Sequence, residues 1–465
     1  VRNKFFFARN FAHGAGDPRV VSGMQTKRFQ RIVAPFLLAL ALGRTAGCTA
    51  NSDGTDLSPA VLTALLAATS SAGSSALDIQ LLTAAQAAGV TTPTITPNES
   101  AEMVALGKAL FFDKVLSGDQ DISCSTCHHP TATTGDDLPT SIGAGGSGVG
   151  STRSTGSTGT MIARNAPPLF NLGAEDFEDA FWDGRVSRGA DGVLNTPAAV
   201  LNGAGPARSD ITAQLTSVLA AQAMFPVLSD EEMRGQPGNT IRDAADNEAA
   251  WAASMARLVG TSNGAVGGIA AYRTLFSAAF PTVTNYDNFN FGHAARAIAA
   301  FEVDAYTAVG SPFDQFLAGN SAAMSAEEKA GGILFFGQGG CDGCHRGPHL
   351  SDFNFHGIAA PQLGPGVSGG DDLGRFHETG RNGNRYEFRT PPLRNIELTA
   401  PYTHAGAYTS LEAVVTHYNN TAAGIRGYDA SQLGRSDYIA TVDTDAGRID
   451  ESIDARDRRV RGPLG

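Results

Sequence analysis

Two short strings constrain this chain more than anything else in it: Cys124-Ser-Thr-Cys127-His128 and Cys341-Asp-Gly-Cys344-His345. They hold four of the five cysteines in 465 residues, the fifth being Cys48. So few cysteines in so long a chain exclude a disulfide-stapled scaffold. A zinc ribbon needs its two pairs some ~15–20 residues apart; here the pairs are about 217 residues apart and each carries its own histidine. A thioredoxin-like pair expects a βαβ setting, and neither pair has one. The pattern that fits is the attachment signature of c-type haem, with two thiols on one porphyrin and the next residue's imidazole under the iron. The sequence thus assigns haem 1 to Cys124, Cys127 and His128, and haem 2 to Cys341, Cys344 and His345.

Composition narrows the setting. A net charge of −12 and a pI near 5.3 argue against nucleic-acid binding, which needs a basic surface. With 42% hydrophobic and 17% charged residues the chain can bury a sizeable core. Residues 1–48 read as an export signal starting at Met24: Lys27, Arg28 and Arg31 precede an apolar run, Ile32 to Leu42, too short to span a bilayer. Thr45-Ala46-Gly47-Cys48 resembles a bacterial lipobox, although a branched apolar residue is usual where Thr45 stands. A lipid anchor at Cys48 and an ordinary cleaved signal are the two readings, and both place the mature chain in the periplasm.

Residues 49–97 are Ala/Ser/Thr-rich and read as a tether and peripheral helix, with helical stretches at Ala60–Thr69 and Ile79–Ala88. Apolar periodicity predicts helices over 99–112, 210–224, 248–259, 267–279 and 291–308. Ser325 and Glu328 form a capping box that opens a helix to Phe336, and Ser410 caps a last clear helix over 411–419. Sixteen of residues 141–160 are Gly, Ser or Thr, a flexible-loop composition, and 346–409 is Gly/Pro-rich loop. The expectation is a mainly α fold with long loops and little β. A helix ending in Leu-Phe-Phe, a short turn and Cys-x-x-Cys-His occur together twice.

The sixth iron ligand is usually His or Met. No histidine lies between His129 and His293, so haem 1 is expected to be open, with Met161, Met224 or Met233 the only nearby alternatives. No methionine follows Met324. Over 411–419, Leu411, Val414, Val415 and Tyr418 form one apolar stripe, which turns Tyr418 rather than His417 toward a buried haem. His417 is then an exposed residue, or else the ligand itself; Tyr418 could also be an ordinary core aromatic.

The chain resembles the bacterial diheme cytochrome c peroxidases and their MauG-like relatives. The resemblance is carried by Gly107-Lys-Ala-Leu-Phe-Phe-Asp113, both haem motifs, Leu138-Pro-Thr-Ser-Ile-Gly143, Arg164-Asn-Ala-Pro167, Phe181-Trp-Asp-Gly-Arg185, Phe313-Asp-Gln-Phe316, Thr390-Pro-Pro-Leu-Arg-Asn395 and Leu398-Thr-Ala-Pro-Tyr-Thr-His404. It implies two packed cytochrome c-like haem domains, placed here at 98–308 (peroxidatic) and 309–465 (electron transfer). It implies that Trp182 relays electrons between the haems, and that Asn165, Thr399 and Pro401 hold a Ca²⁺ between them. Glu232, six residues after Pro226, matches the glutamate that moves the peroxide proton, with Glu231 as the alternative. Pro226 is counted with it among the catalytic residues.

Two departures bear on activity. Ala144 stands where many relatives carry a removable distal histidine, so haem 1 needs no reductive activation. Tyr418 falls where peroxidases place a methionine and MauG-like enzymes a tyrosine. The resemblance therefore implies an enzyme that reduces H₂O₂, with a small cytochrome c or cupredoxin as electron donor and a dimer as a compatible assembly. A MauG-like oxidase acting on a protein or organic substrate is the alternative, and a non-catalytic diheme electron carrier the second.

Overall fold

The computed structural model describes residues 74–95 and 99–460. The export signal with Met24 and Cys48, and the helical stretch at 60–69, lie outside the described residues. Among the described residues the protein is mainly α, and the β structure amounts to a few two- and three-residue strands.

Nine helices are used below: α1 (Ser74–Ala87), α2 (Ala101–Phe112), α3 (Val218–Gln222), α4 (Asn247–Val259), α5 (Ala270–Ala279), α6 (Phe291–Tyr306), α7 (Ala326–Phe336), α8 (Leu411–Asn419) and α9 (Ala446–Val460). Capping sets several starts: the Ser100, Ser325 and Ser410 hydroxyls accept from Met103, Glu328 and Ala413 backbone N–H groups, each at 3.2 Å. The helix predicted over 210–224 is broken. Ser209–Thr212 ends, and Ser217 starts α3 by accepting from Ala220 N at 3.1 Å. The charge-dense α9 was not predicted; Ile453 on it packs with Ala359 and Ile425.

Helices α2 and α6 cross at Gly107. A Cβ there would lie 1.7 Å from the Ala297 carbonyl oxygen, so only glycine permits the approach. Around this crossing the largest core gathers apolar residues between Met103 and Tyr306. A second core joins Leu138 and Ile142 to Leu363, Tyr402, Tyr408 and Tyr438. Helix α1 lies on α7, with fully buried Leu81 against Gly332.

Strands β1 (Asp179–Ala180), β2 (Val186–Arg188) and β3 (Leu194–Asn195) form an antiparallel meander. The Phe181-Trp-Asp-Gly-Arg185 motif is the β1–β2 loop. Strands β4 (Phe355–His356) and β5 (Phe388–Arg389) pair antiparallel. The Gly/Ser-rich 141–160 segment, expected to be a flexible loop, folds over a buried arginine. Arg153 donates to the Ile142 and Gly143 carbonyls at 2.6 Å and to Gly148 at 3.0 Å.

Candidate functional site

One cavity of about 1930 Å³ is bordered by both Cys pairs and both following histidines. In the first motif the Ser123 amide donates to Thr126 Oγ1 at 3.0 Å and starts the single turn Cys124–Cys127. In the second, Gly340 at φ +60° starts a 3₁₀ turn, Cys341–Gly343. The two imidazoles are fixed alike: His128 Nδ1 meets the Thr134 carbonyl at 3.1 Å and His345 Nδ1 meets the Leu350 carbonyl at 2.9 Å. A carbonyl only accepts, so Nδ1 carries the proton and Nε2 keeps its lone pair. Burial holds both rings neutral, pushing His345 down to about 4. None of the four cysteines is in a disulfide. Burial raises the Cys124 thiol to about 12 and Cys341 to about 11.

Trp182 borders the cavity and is buried; its Nε1 donates to the Asn165 carbonyl at 2.9 Å. Beside it runs a charged chain. Arg164 binds Asp372 through Nε at 2.6 Å and Nη2 at 2.8 Å, and also binds Asp183. Asp183 binds Arg185 at 3.1 Å, and Arg185 Nη2 stands 4.0 Å from Glu232. Although burial alone would raise the Asp183 and Asp372 carboxyls, the arginines win and hold both below the usual range. Glu232 goes the other way: burial raises it, with Arg185 opposing.

Glu231 and Glu232 sit on one π-helical turn, Asp230–Arg234, capped by Ser229. Glu232 is half-buried, whereas Glu231 is exposed and its carboxylate accepts from Ser229 Oγ at 3.2 Å. The turn is pinned by Ala144 N donating to the Glu231 carbonyl at 2.9 Å, where a Gly143 Cβ would come within 1.7 Å. Ala144 itself is buried in the core. Pro226 borders the cavity, as do Met161 and Met233, while Met224 is core and does not.

On α8 the cavity is bordered by Leu411, Val414, Val415 and Tyr418. His417 is not the exposed residue that the stripe implied. It is 2% exposed, with Nε2 donating to the Ile358 carbonyl at 2.8 Å and Gly424 packed on the ring. Asn165, Thr399 and Pro401 border the same cavity. The Asn165 amide donates to the Leu138 and Pro139 carbonyls at 3.1 Å, which turns its oxygen away from them.

Two functional groups escaped the sequence. Arg389 is buried, its guanidinium bonds carbonyls (Phe181 at 2.9 Å, Thr390 at 3.3 Å) and makes no ion pair among the described residues; burial lowers it to about 10 against the pull of Asp179 and Asp183. Glu302 on α6 is a buried carboxyl on the cavity wall, and its signal was an acid next to Phe301 in an Ala-rich helix. Cys344, Asp352 and His356 bring ligand atoms within 4.8 Å of one another. Haem attachment would consume the Cys344 sulfur, so they make no separate metal site.

The architecture and the paired motifs define a class, and comparison with known proteins agrees. A family model, di-haem cytochrome c peroxidase, matches residues 101–322. The methylamine utilization protein MauG of Methylorubrum extorquens is 30% identical over 400 residues, 83% of this chain and 90% of that protein. Cytochrome c551 peroxidase of Pseudomonas aeruginosa is 30% identical over 328 residues, 70% of this chain and 74% of that protein. A solved MauG-like protein associated with microbial copper homeostasis is 26% identical, covering 79% of this chain and 92% of its own, with a TM-score of 0.48. The chain belongs to the di-haem cytochrome c peroxidase family, which includes MauG. It is an oxidoreductase of two c-type haems.

The residues fit that cofactor. Both imidazoles present an unprotonated Nε2 at a cavity edge shared with an open pair of thiols. The buried guanidinium of Arg389, which makes no ion pair among the described residues, suits the anionic groups that a haem carries.

Proposed function

We propose that the protein is a diheme peroxidase that reduces H₂O₂ to water at an open haem held by Cys124, Cys127 and His128. The observation that carries the reading is Glu232, half-buried on the cavity wall shared with those residues, with Arg185 4.0 Å away. A haem bound there would supply the redox centre from which peroxide draws its electrons. Glu232 does the proton work: it takes a proton from the near peroxide oxygen and returns it to the far one, which leaves as water. Arg185 keeps Glu232 from becoming a permanently protonated acid. Asp183, Arg164 and Asp372 fix Arg185 and tie this wall to the second half of the chain. Trp182 stands between the halves, its indole held by the Asn165 carbonyl, as the relay. His345 and Tyr418 would hold the second haem. Asn165, Thr399 and Pro401 offer neutral oxygens of the kind Ca²⁺ accepts.

In this reading the chain is exported to the periplasm by residues 24–48, either lipidated at Cys48 or simply cleaved. Among the described residues no helix is long and apolar enough to cross a membrane. A small cytochrome c or a cupredoxin is the electron donor, attracted by the net charge of −12. The test is titration of the diheme protein with H₂O₂ while both haem spectra are followed. Stoichiometric oxidation, reset by reduced cytochrome c, is expected; an unresponsive spectrum would leave an electron carrier.

A MauG-like oxidase is the second reading, favoured by Tyr418 on the cavity wall and the absence of methionine on α8. Electron paramagnetic resonance separates the two. A high-spin haem 1 beside a low-spin His/Tyr haem 2 supports the oxidase, and a His/Met or His/His signal ends it.

A further inference from the structure

Glu302 sits in the C-terminal half of α6, 6% exposed, on the wall of the cavity beside the Cys124 turn; of the other charged residues of α6, Asp304 is exposed and Arg296 is bound to Glu99. Its Oε2 is buried without a hydrogen-bond partner. No cation pairs with it among the described residues. The ionisable groups around it are few. Tyr306, one turn on, has an unpartnered buried hydroxyl of its own. Cys124 faces it from the haem-binding turn, and Glu232 acts on Cys124 from elsewhere in the chamber. From α2, Glu102 and Lys108 are exposed, and α3 carries no ionisable residue. The other elements on α6 bring Asp210, Glu248 and Arg257. Asp210 and Glu248 are bound to Arg208, and Arg257 to the Val115 and Ser117 carbonyls.

We propose that Glu302 is a proton site coupled to haem 1: it keeps its proton while the haem is reduced and releases it when the haem loses an electron. A buried carboxylate without donors or counter-charge is costly, so the neutral acid is favoured, and burial raises Glu302 to about 8. Oxidation of the neighbouring iron adds the one positive charge that offsets a carboxylate at this position. The step balances: one electron leaves for the oxidant, peroxide in turnover or a redox mediator in a titration, and one proton leaves Glu302 for water. The chamber's net charge is unchanged. By linkage, a proton bound at Glu302 makes haem 1 easier to reduce.

This goes beyond peroxide chemistry and rests only on haem 1 being held by Cys124, Cys127 and His128, which the absorbance spectrum of the purified diheme protein reads separately. The experiment is a mediated redox titration of that protein at pH values on both sides of 8. The haem 1 potential is expected to fall as pH rises toward 8, approaching one proton per electron. Glu302→Gln should abolish that slope, while Glu232→Gln keeps it. A pH-independent wild-type potential overturns the proposal with no variant needed, and so does a slope that survives Glu302→Gln. Should Glu302→Gln fail to fold, the oxidised-minus-reduced infrared difference decides. Loss of a protonated-carboxyl stretch on oxidation, retained in Glu232→Gln, supports the proposal, and its absence overturns it.

Discussion

The two Cys-x-x-Cys-His motifs share a sequence plan but sit in different surroundings. Before the first, Leu110 and Phe111 are fully buried while Phe112 is exposed, and α6 crosses over α2 with backbone touching backbone at Gly107. Leu334, Phe335 and Phe336, before the second, are only half-buried, and α1 covers α7 through a side-chain contact, Leu81 on Gly332. The first motif shares its wall with the raised carboxyls of Glu232 and Glu302. The apolar stripe of α8 and Tyr418 line the same cavity, to which the second motif also contributes. A repeated attachment motif therefore does not mean a repeated chemistry. In the proposed reading, the raised carboxyls near the first motif are what suit it to reaction with peroxide.

The largest expected effect tests the proton-holding side. Glu232→Gln should lower peroxide turnover about 10²- to 10⁴-fold, with both haem spectra intact, while Glu231→Gln stays within a few-fold in the same assay. The reverse order would break the assignment of these neighbours.

Next comes the link between the halves. Arg164→Met strands the buried Asp372 and leaves Asp183 with Arg185 alone, and should cost about 3–5 kcal/mol in urea unfolding at pH 7. Both carboxyls are held below the ordinary 3.8. Their contribution is therefore complete above that value and is lost as pH falls through the depressed native values. The variant's deficit should accordingly shrink at pH 3.

The crossings give a matched pair of smaller effects. Gly107→Ala sets a Cβ 1.7 Å from backbone, and should destabilise by about 1–3 kcal/mol or more. Gly332→Ala meets the Leu81 side chain at 2.7 Å, which can turn aside, and should cost less than about 1 kcal/mol. Equal losses in thermal unfolding would contradict the contrast between the two helices. Smallest is the exposed Arg426–Asp450 pair on the surface, where Arg426→Ala should change stability by less than about 0.5 kcal/mol.

Much of this was legible in the sequence because the chemistry is local. Haem attachment needs five consecutive residues, and a helix start needs a serine and its neighbours, as at Ser100, Ser325 and Ser410. The stripe on 411–419 pointed Tyr418 toward the cavity wall. It misjudged His417, because the Ile358 carbonyl and Gly424 that enclose it arrive from other segments. Arg389 and Glu302 were invisible for a related reason. A lone charge becomes informative only when the fold buries it without a partner. Helix α9 was missed because charges outnumber its apolar residues, and its apolar packing is confined to the small cluster with Ala359 and Ile425.

The seat of α1 on α7 has a consequence for how the chain folds. Residues 74–87 leave the ribosome long before 326–336, yet Leu81 finds its place only on that later helix. Among the described elements α7 is the main partner of α1, and closing so long a loop is slow. Its docking should therefore be among the last events of folding, after the α2–α6 crossing has formed, and a chain stopped before residue 326 would keep the first motif's core while leaving α1 loose.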